Sequence, residues 1–172
     1  MKELFLIRSE HEGDVAAIRH VYEITFGSDA EANLVDALRD GGFAEVSLVA
    51  EIDGKIVGHI MFSRVKIIWK TGILESLSLA PMAVLPEFQR QGIGSALVEI
   101  GVEVCRKLPY ASILVLGHPD FYPRFGFSPV IASRLNCPFG SGEAWMALEL
   151  VPESLNGVSG TVEYPPPFDI FS

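Results

Sequence analysis

Apolar positions recur along this chain with two periods, and the period changes several times. Leu4 to Ile7 is a short apolar run that predicts a first strand. After Glu12-Gly13-Asp14, with Asp14 placed to cap a helix, Val15, Ile18, Val21, Tyr22, Thr25 and Phe26 follow at helical spacing. A second helix is expected from Ala30 to Arg39, with Leu34, Val35 and Leu38 apolar and Gly41-Gly42 as its stop. Val46 to Ile52 and Lys55 to Val65 flank Asp53-Gly54, the strongest short hairpin signal a sequence offers. Ile73 to Leu85 reads as a long strand closing at Pro86. Ile93, Leu97, Ile100, Val104 and Leu108 then mark a helix. Ala111 to Leu116 is a short, largely apolar run between turn residues, which predicts a buried central strand. Phe121 to Arg124 reads as a short helix ended by Gly126, and Trp145 to Leu150 as a last strand. From Pro152 onward the chain carries Pro165-Pro166-Pro167 and Phe168-Asp169-Ile170-Phe171. This tail is expected either to lie ordered on the surface through its aromatics or to act as a tether. Helices and antiparallel strands followed by strand–helix–strand predict a mixed α/β fold, with a βαβ crossover from Ile73 to Leu116.

Composition narrows the class. The 172 residues suit one domain, and a hydrophobic share of 49% supplies a core. The net charge of -9 disfavours a nucleic-acid binder, which needs a basic face. It is compatible with steering of a cationic substrate such as an amine, although solubility explains it equally well. Cys105 and Cys137 form no CxxC pair and no cysteine–histidine cluster has zinc spacing, so no metal is expected. Unpaired cysteines fit a reducing compartment, and the cytoplasm is the expected location. No apolar run reaches membrane-spanning length. The run from Met1 to Arg8 is expected to be a strand rather than a signal peptide.

The candidate chemistry sits at Gln89-Arg90-Gln91-Gly92-Ile93-Gly94-Ser95, between an apolar strand and an amphipathic helix. Glycine lets backbone approach a ligand closely, and the first helical N–H groups have no partner within their helix. Such a junction is a ready anion site, with phosphate as its usual guest. A nucleotide P-loop would need a lysine after its last glycine, and here Ser95 follows Gly94. A dinucleotide fingerprint would need a third glycine where Ala96 and Leu97 stand.

A third reading fits better. The run Leu79-Ala80-Pro81-Met82-Ala83-Val84-Leu85-Pro86-Glu87-Phe88-Gln89-Arg90-Gln91-Gly92-Ile93-Gly94-Ser95-Ala96-Leu97 resembles the acetyl-CoA-binding motif of the GNAT N-acetyltransferase superfamily. Downstream, Phe121-Tyr122-Pro123-Arg124-Phe125-Gly126-Phe127 is similar to the Tyr-x-x-x-Gly-Phe segment of the same superfamily. The Asp53-Gly54 hairpin with Ile56-Val57-Gly58-His59-Ile60 resembles its central hairpin. The tail, with Gly157-Val158-Ser159-Gly160 and Tyr164-Pro165-Pro166, looks like that of the bacterial YhbS-type subgroup. One position departs: many members carry Asn about seven residues before the tyrosine, where this chain has Val115, followed by Gly117-His118-Pro119-Asp120.

The resemblance implies an α/β fold of the acyl-CoA N-acyltransferase type: a mostly antiparallel mixed sheet, splayed at the cofactor and flanked by helices. The domain would span residues 1–151, with the tail 152–172 packed on it. It implies that the CoA pyrophosphate rests on the N–H groups from Arg90 to Ser95, with Gln89 shaping the loop. Arg90 either adds a charge-assisted contact or is a solvated arginine. It implies that Met82, Ala83 and Val84 hold the pantetheine arm like an added strand, with a backbone N–H for the developing oxyanion. Plain strand core accounts for those three residues as well.

Acetyl transfer requires a neutral amine, although a lysine-like amine titrates near about 10.4. It also requires donors for the oxyanion and a proton or hydrogen bond for the leaving thiolate. By resemblance Tyr122 meets the last need as general acid; its alternative role is packing beside Phe121 and Phe125. Glu75, His118 and His59 are the candidate bases, each with a structural alternative. Specificity would come from the first two helices, the loop around Ser28-Asp29-Ala30-Glu31 and the Leu135 to Gly142 loop. Asp29, Glu31 and Glu45 either attract a cation or form a solvated face. The implied activity is acetyl-CoA-dependent acetylation of a primary amine by direct attack in a ternary complex, because Cys105 and Cys137 do not occupy the family's nucleophile positions. A non-catalytic acyl-CoA-binding module on the same fold is the alternative. Implied partners are acetyl-CoA and an amine acceptor, with neither nucleic acid nor membrane; the family habit also allows a homodimer.

Overall fold

The computed structural model describes residues 4–172, so the part of the first-strand reading that falls on residues 1–3 lies outside it. The chain forms two compact units. One comprises the stretch ending at Phe62 together with Ala80–Val104; the other comprises Ser63–Leu79 together with Cys105–Ser172.

The first unit begins with β1 (Leu6–Ser9), two residues later than expected, paired antiparallel with β2 (Ala44–Ile52) so that Leu6 faces Glu51 and Ser9 faces Leu48. Helices α1 (Val15–Phe26) and α2 (Ala30–Asp40) lie between them in sequence. Ile18, Val21 and Tyr22 of α1, and Ala32, Leu34, Val35 and Leu38 of α2, are buried, matching the apolar stripes. Asp14 does not cap α1 through its side chain. Its carboxylate instead accepts the Arg8 guanidinium at 2.8 and 3.1 Å and the His11 N–H at 2.6 Å. Strand β2 turns into β3 (Lys55–Trp69) at Asp53 and Gly54, whose φ values of 48° and 79° are the paired positive angles of a tight hairpin. The unit also holds the end of β4 (Gly72–Val84) and most of α3 (Ile93–Cys105), which stops three residues before the expected Leu108. Two glycines make this packing close. A Cβ on Gly58 would lie 3.3 Å from the Ala83 carbonyl oxygen, and one on Gly101 would lie 2.4 Å from the Phe62 ring.

In the second unit β5 (Ser112–Leu116) lies between β4 and β7 (Trp145–Glu149). It runs parallel to β4, with Leu77 opposite Ile113 and Ser78 opposite Leu114, and antiparallel to β7, with Ser112 opposite Glu149 and Leu116 opposite Trp145. The chain therefore makes the βαβ connection that the sequence predicts. The β4–β5 register ends at Ser78, whereas β4 continues to Val84. Val115, at the family's asparagine position, is core: 2% exposed and opposite Met146.

The tail departs from expectation. Its aromatics do pack: Tyr164 and Phe139 have ring centroids 4.9 Å apart, Tyr164 and Phe168 5.0 Å, and Phe168 is buried. It also supplies β8 (Gly160–Glu163), antiparallel to Lys66–Trp69 of β3 and parallel to the two-residue β6 (Leu135–Asn136), neither of which the sequence reading contained. Among the described residues no helix is long and apolar enough to cross a membrane.

Candidate functional site

The glycine turn lies wholly in the first unit. After β4 a short 3-10 helix, Pro86–Phe88, is followed by Gln89, whose side-chain amide donates to the Val84 carbonyl at 2.8 Å. This bond ties the loop to the strand. Arg90 has φ 63° and Gly92 φ 88°, both left-handed. Space around a Cβ at Gly92 is open, so backbone geometry rather than crowding calls for glycine there. The first helical bond of α3 runs from the Ala96 N–H to the Gly92 carbonyl at 3.0 Å. The N–H groups of Ile93, Gly94 and Ser95 precede it and have no partner within the helix. Ile93, 1% exposed, anchors the helix start in the core while Gly94 and Ser95 are half-buried. A thirteen-residue helix opening this way presents donors and the positive end of its dipole to an anion. Met82 is half-buried and Ala83 and Val84 are buried. The predicted cofactor residues thus occupy the strand end, the loop and the helix start, which follow one another in the chain.

Tyr122, His118 and Glu75 belong to the second unit. Tyr122 opens a short 3-10 helix, Tyr122–Phe125, ended by Gly126 at φ 99°. The His118 carbonyl accepts the N–H groups of Phe121 and Tyr122 at 3.1 and 3.3 Å, so His118 organises this turn through its backbone while its side chain is exposed. The Tyr122 ring is 6% exposed, edge-on to Phe121 at 5.0 Å and to Phe127 at 5.7 Å. Burial pushes its hydroxyl up to about 12, so it holds its proton throughout the neutral range. Gly117 carries no chemistry and was not singled out in the sequence, yet it seats this ring: a Cβ there would lie 2.5 Å from Tyr122 Cε2.

Glu75 stands apart from that pair. Its carbonyl accepts the Ala111 N–H at 3.0 Å, just before β5 begins, whereas His118 follows β5. At about 3.3 Å per residue the two ends of that strand are separated by roughly 15–20 Å. Glu75 and Tyr122 therefore do not serve one amine, which corrects the expectation for Glu75. His59 is corrected too. It is fully buried in the first unit, with Nδ1 2.7 Å from the Tyr22 hydroxyl and Nε2 2.8 Å from Ser47 Oγ, and cannot meet a substrate. Burial lowers its pKa, and the neutral ring is the resident form. Among the described residues no group of histidine, cysteine, aspartate and glutamate could hold a metal ion.

Comparison with known proteins agrees with this geometry. Residues 44–129 match the family described as Acetyltransferase (GNAT) domain. The chain is 37% identical over 168 residues to the uncharacterized N-acetyltransferase YhbS of Escherichia coli K12, covering 96% of this chain and 99% of that one. The crystal structure of Escherichia coli YhbS in complex with CoA superposes with a TM-score of 0.89 at 35% identity, covering 100% of this chain and 95% of that one. A GNAT family acetyltransferase from Brucella melitensis, in complex with acetyl-CoA, gives 0.81 at 32% identity, with 97% and 99% covered.

Proposed function

The chain belongs to the GNAT acetyltransferase family, and from that premise we propose that it transfers the acetyl group of acetyl-CoA to a primary amine by direct attack in a ternary complex. The observation that carries this reading is the turn from Gln89 to Ser95, whose backbone geometry suits a pyrophosphate. The relatives crystallised with CoA and acetyl-CoA support it. In this reading Arg90 through Ser95 bind the pyrophosphate, and Met82, Ala83 and Val84 hold the pantetheine arm and offer a backbone N–H to the oxyanion.

Tyr122 is the general acid. An ordinary thiol titrates near about 8.5, well below this buried phenol at about 12. Tyr122 therefore acts by donating a hydrogen bond to the sulfur as the carbon–sulfur bond breaks and charge develops on it; the phenol keeps its own proton, and CoA leaves as the thiolate and is protonated by solvent. His118 is the remaining candidate for taking the amine's proton, directly or through water. The two free cysteines agree with a reducing cytoplasm, and the homodimer implied by family habit belongs to the same reading.

The test is thiol release from acetyl-CoA across a panel of primary amines, followed by Tyr122→Phe on the best acceptor over a range of pH. The reading expects turnover with at least one amine and a fall in kcat in the variant. Turnover unchanged at every pH removes the general-acid role. No transfer to any amine, despite tight CoA binding, leaves a non-catalytic acyl-CoA-binding module in its place.

A further inference from the structure

Within the first unit a chain of hydrogen bonds begins on α1 and returns to it. Tyr22 Oη lies 2.7 Å from His59 Nδ1 on β3, and His59 Nε2 lies 2.8 Å from Ser47 Oγ on β2. Ser47 donates to Glu10 Oε1 at 2.9 Å, and Arg39 of α2 clasps both Glu10 oxygens at 2.6 and 2.7 Å. Arg39 also binds Asp36 at 2.7 Å, and Asp36 binds Arg19 of α1 at 2.7 Å. The direction of these bonds follows from chemistry. Glu10, clasped by an arginine, accepts only; Ser47 therefore gives it the hydroxyl proton, and Ser47 Oγ accepts from His59 Nε2–H. His59 Nδ1 is then bare and accepts from the Tyr22 hydroxyl. One neutral tautomer satisfies every member.

Three residues beyond Tyr22, on the same face of α1, Thr25 Oγ1 donates a long hydrogen bond of 3.4 Å to the Val84 carbonyl at the end of β4. We propose that His59 is a positioning residue for acetyl transfer, acting through Tyr22 to hold the last turn of α1 against the end of the cofactor strand. The proposal rests on the reading that Met82 to Val84 hold the pantetheine arm, and it gives a structural part to a histidine that the chemistry cannot use.

Mild acid is not expected to break this tether in the folded protein. A proton added at Nδ1 would face the Tyr22 oxygen, and the Tyr22 hydroxyl proton would have to turn to its other acceptor, the His59 carbonyl, at 3.5 Å. The charged groups that act on His59 are Glu10 and Asp14, which favour the proton, and Arg39, which opposes it; burial opposes it most. Tyr22 on α1 and Ser47 on β2 are its neutral neighbours.

The experiment is calorimetric titration of CoA into wild type, Tyr22→Phe and Thr25→Val, from roughly pH 8 down to pH 5, around the ordinary histidine value of about 6.5. CoA titrates by itself, so the informative quantity is the ratio of Kd between variant and wild type at each pH. At the upper end Tyr22→Phe is expected to bind about three- to tenfold more weakly, the scale of one hydrogen bond. The ratio should stay above one across this range, because burial keeps His59 neutral in the folded protein and a proton at Nδ1 would in any case donate to the Tyr22 oxygen. Thr25→Val, which leaves the buried chain intact, should weaken CoA binding in the same direction and keeps the proposal testable if Tyr22→Phe does not fold. A merely structural tyrosine would lower the melting temperature and leave a flat ratio near one, which overturns the proposal while leaving the acetyltransferase reading in place. Failure of folded wild type to bind CoA overturns both.

Discussion

A methyl group at Gly117 tests the role of Tyr122 without touching its hydroxyl. In Gly117→Ala the new Cβ would stand 2.5 Å from Tyr122 Cε2, 3.2 Å from Cδ2 and 3.5 Å from Cζ. Carbon atoms settle about 3.5–4.0 Å apart, so the ring must retreat by about 1 Å. It cannot retreat freely, because Phe121 and Phe127 stand edge-on to it. A displacement of about 1 Å in a catalytic group costs on the order of a hundredfold in rate when that group acts in the transition state. Gly117 is not among the residues read as holding the cofactor, which lie in the other compact unit. The expected result is a kcat lower by about 10- to 100-fold with KM for acetyl-CoA changed by less than about threefold, a loss confined to the transition state. The assay is thiol release with the acceptor found by the amine screen, beside a melting curve to confirm folding. A folded Gly117→Ala enzyme with wild-type kcat would refute the reasoning, because either the ring yields without consequence or Tyr122 takes no part.

Two further predictions concern stability. In Gly101→Ala the added Cβ would meet Phe62 Cε1 at 2.4 Å and Cζ at 2.7 Å. Overpacking of about 1–3 kcal/mol should outweigh the gain of about 1 kcal/mol from alanine's helix propensity, giving a lower urea midpoint; an equal or higher midpoint would mean that Phe62 turns aside at no cost. Stability should also fall with acid in two stages. The lowered pKa of His59 means that the unfolded chain binds the extra proton first, so its contribution is complete above about 6.5 and lost as pH falls below that value. For Glu10 burial acts upward, but the nearby His59 ring and hydrogen bonds from Arg39 and Ser47 hold it far below the ordinary carboxylate range, so its contribution is complete above its ordinary value of 4.5 and lost below it. Urea midpoints from roughly pH 8 to pH 3 should fall first gently and, below about 4.5, more steeply; a flat profile would contradict the network.

What could be read in the sequence was what local pattern determines. Asp53-Gly54 announces a hairpin because both residues tolerate positive φ, and both adopt it. The largely apolar run before Gly117 announces a strand with neighbours on both edges, and β5 has them. The glycine turn was legible because strand, glycines and amphipathic helix are consecutive. Strand β8 was not, since only Val162 of its four residues is buried and its partners on β3 lie nearly a hundred positions earlier. The place of His59 was illegible for a related reason. Its partner Tyr22 is 37 residues away, and nothing adjacent distinguishes a histidine that clasps a helix from one that takes a proton. Gly117 gained meaning only when the Tyr122 ring folded over it. Glu75 was misjudged because its strand was read without its register: pairing with the start of β5 sets it at the end away from Tyr122.

The central claim, a phosphate-bearing cofactor on the glycine turn, is tested most directly by titrating acetyl-CoA into wild type and Gly92→Glu in a calorimeter. Gly92 sits at φ 88°, and a carboxylate there would face the same N–H groups as the pyrophosphate. The account predicts saturable binding to wild type and its loss in a variant that still melts cooperatively. Equal binding by the variant, or none by the folded wild type, would contradict it.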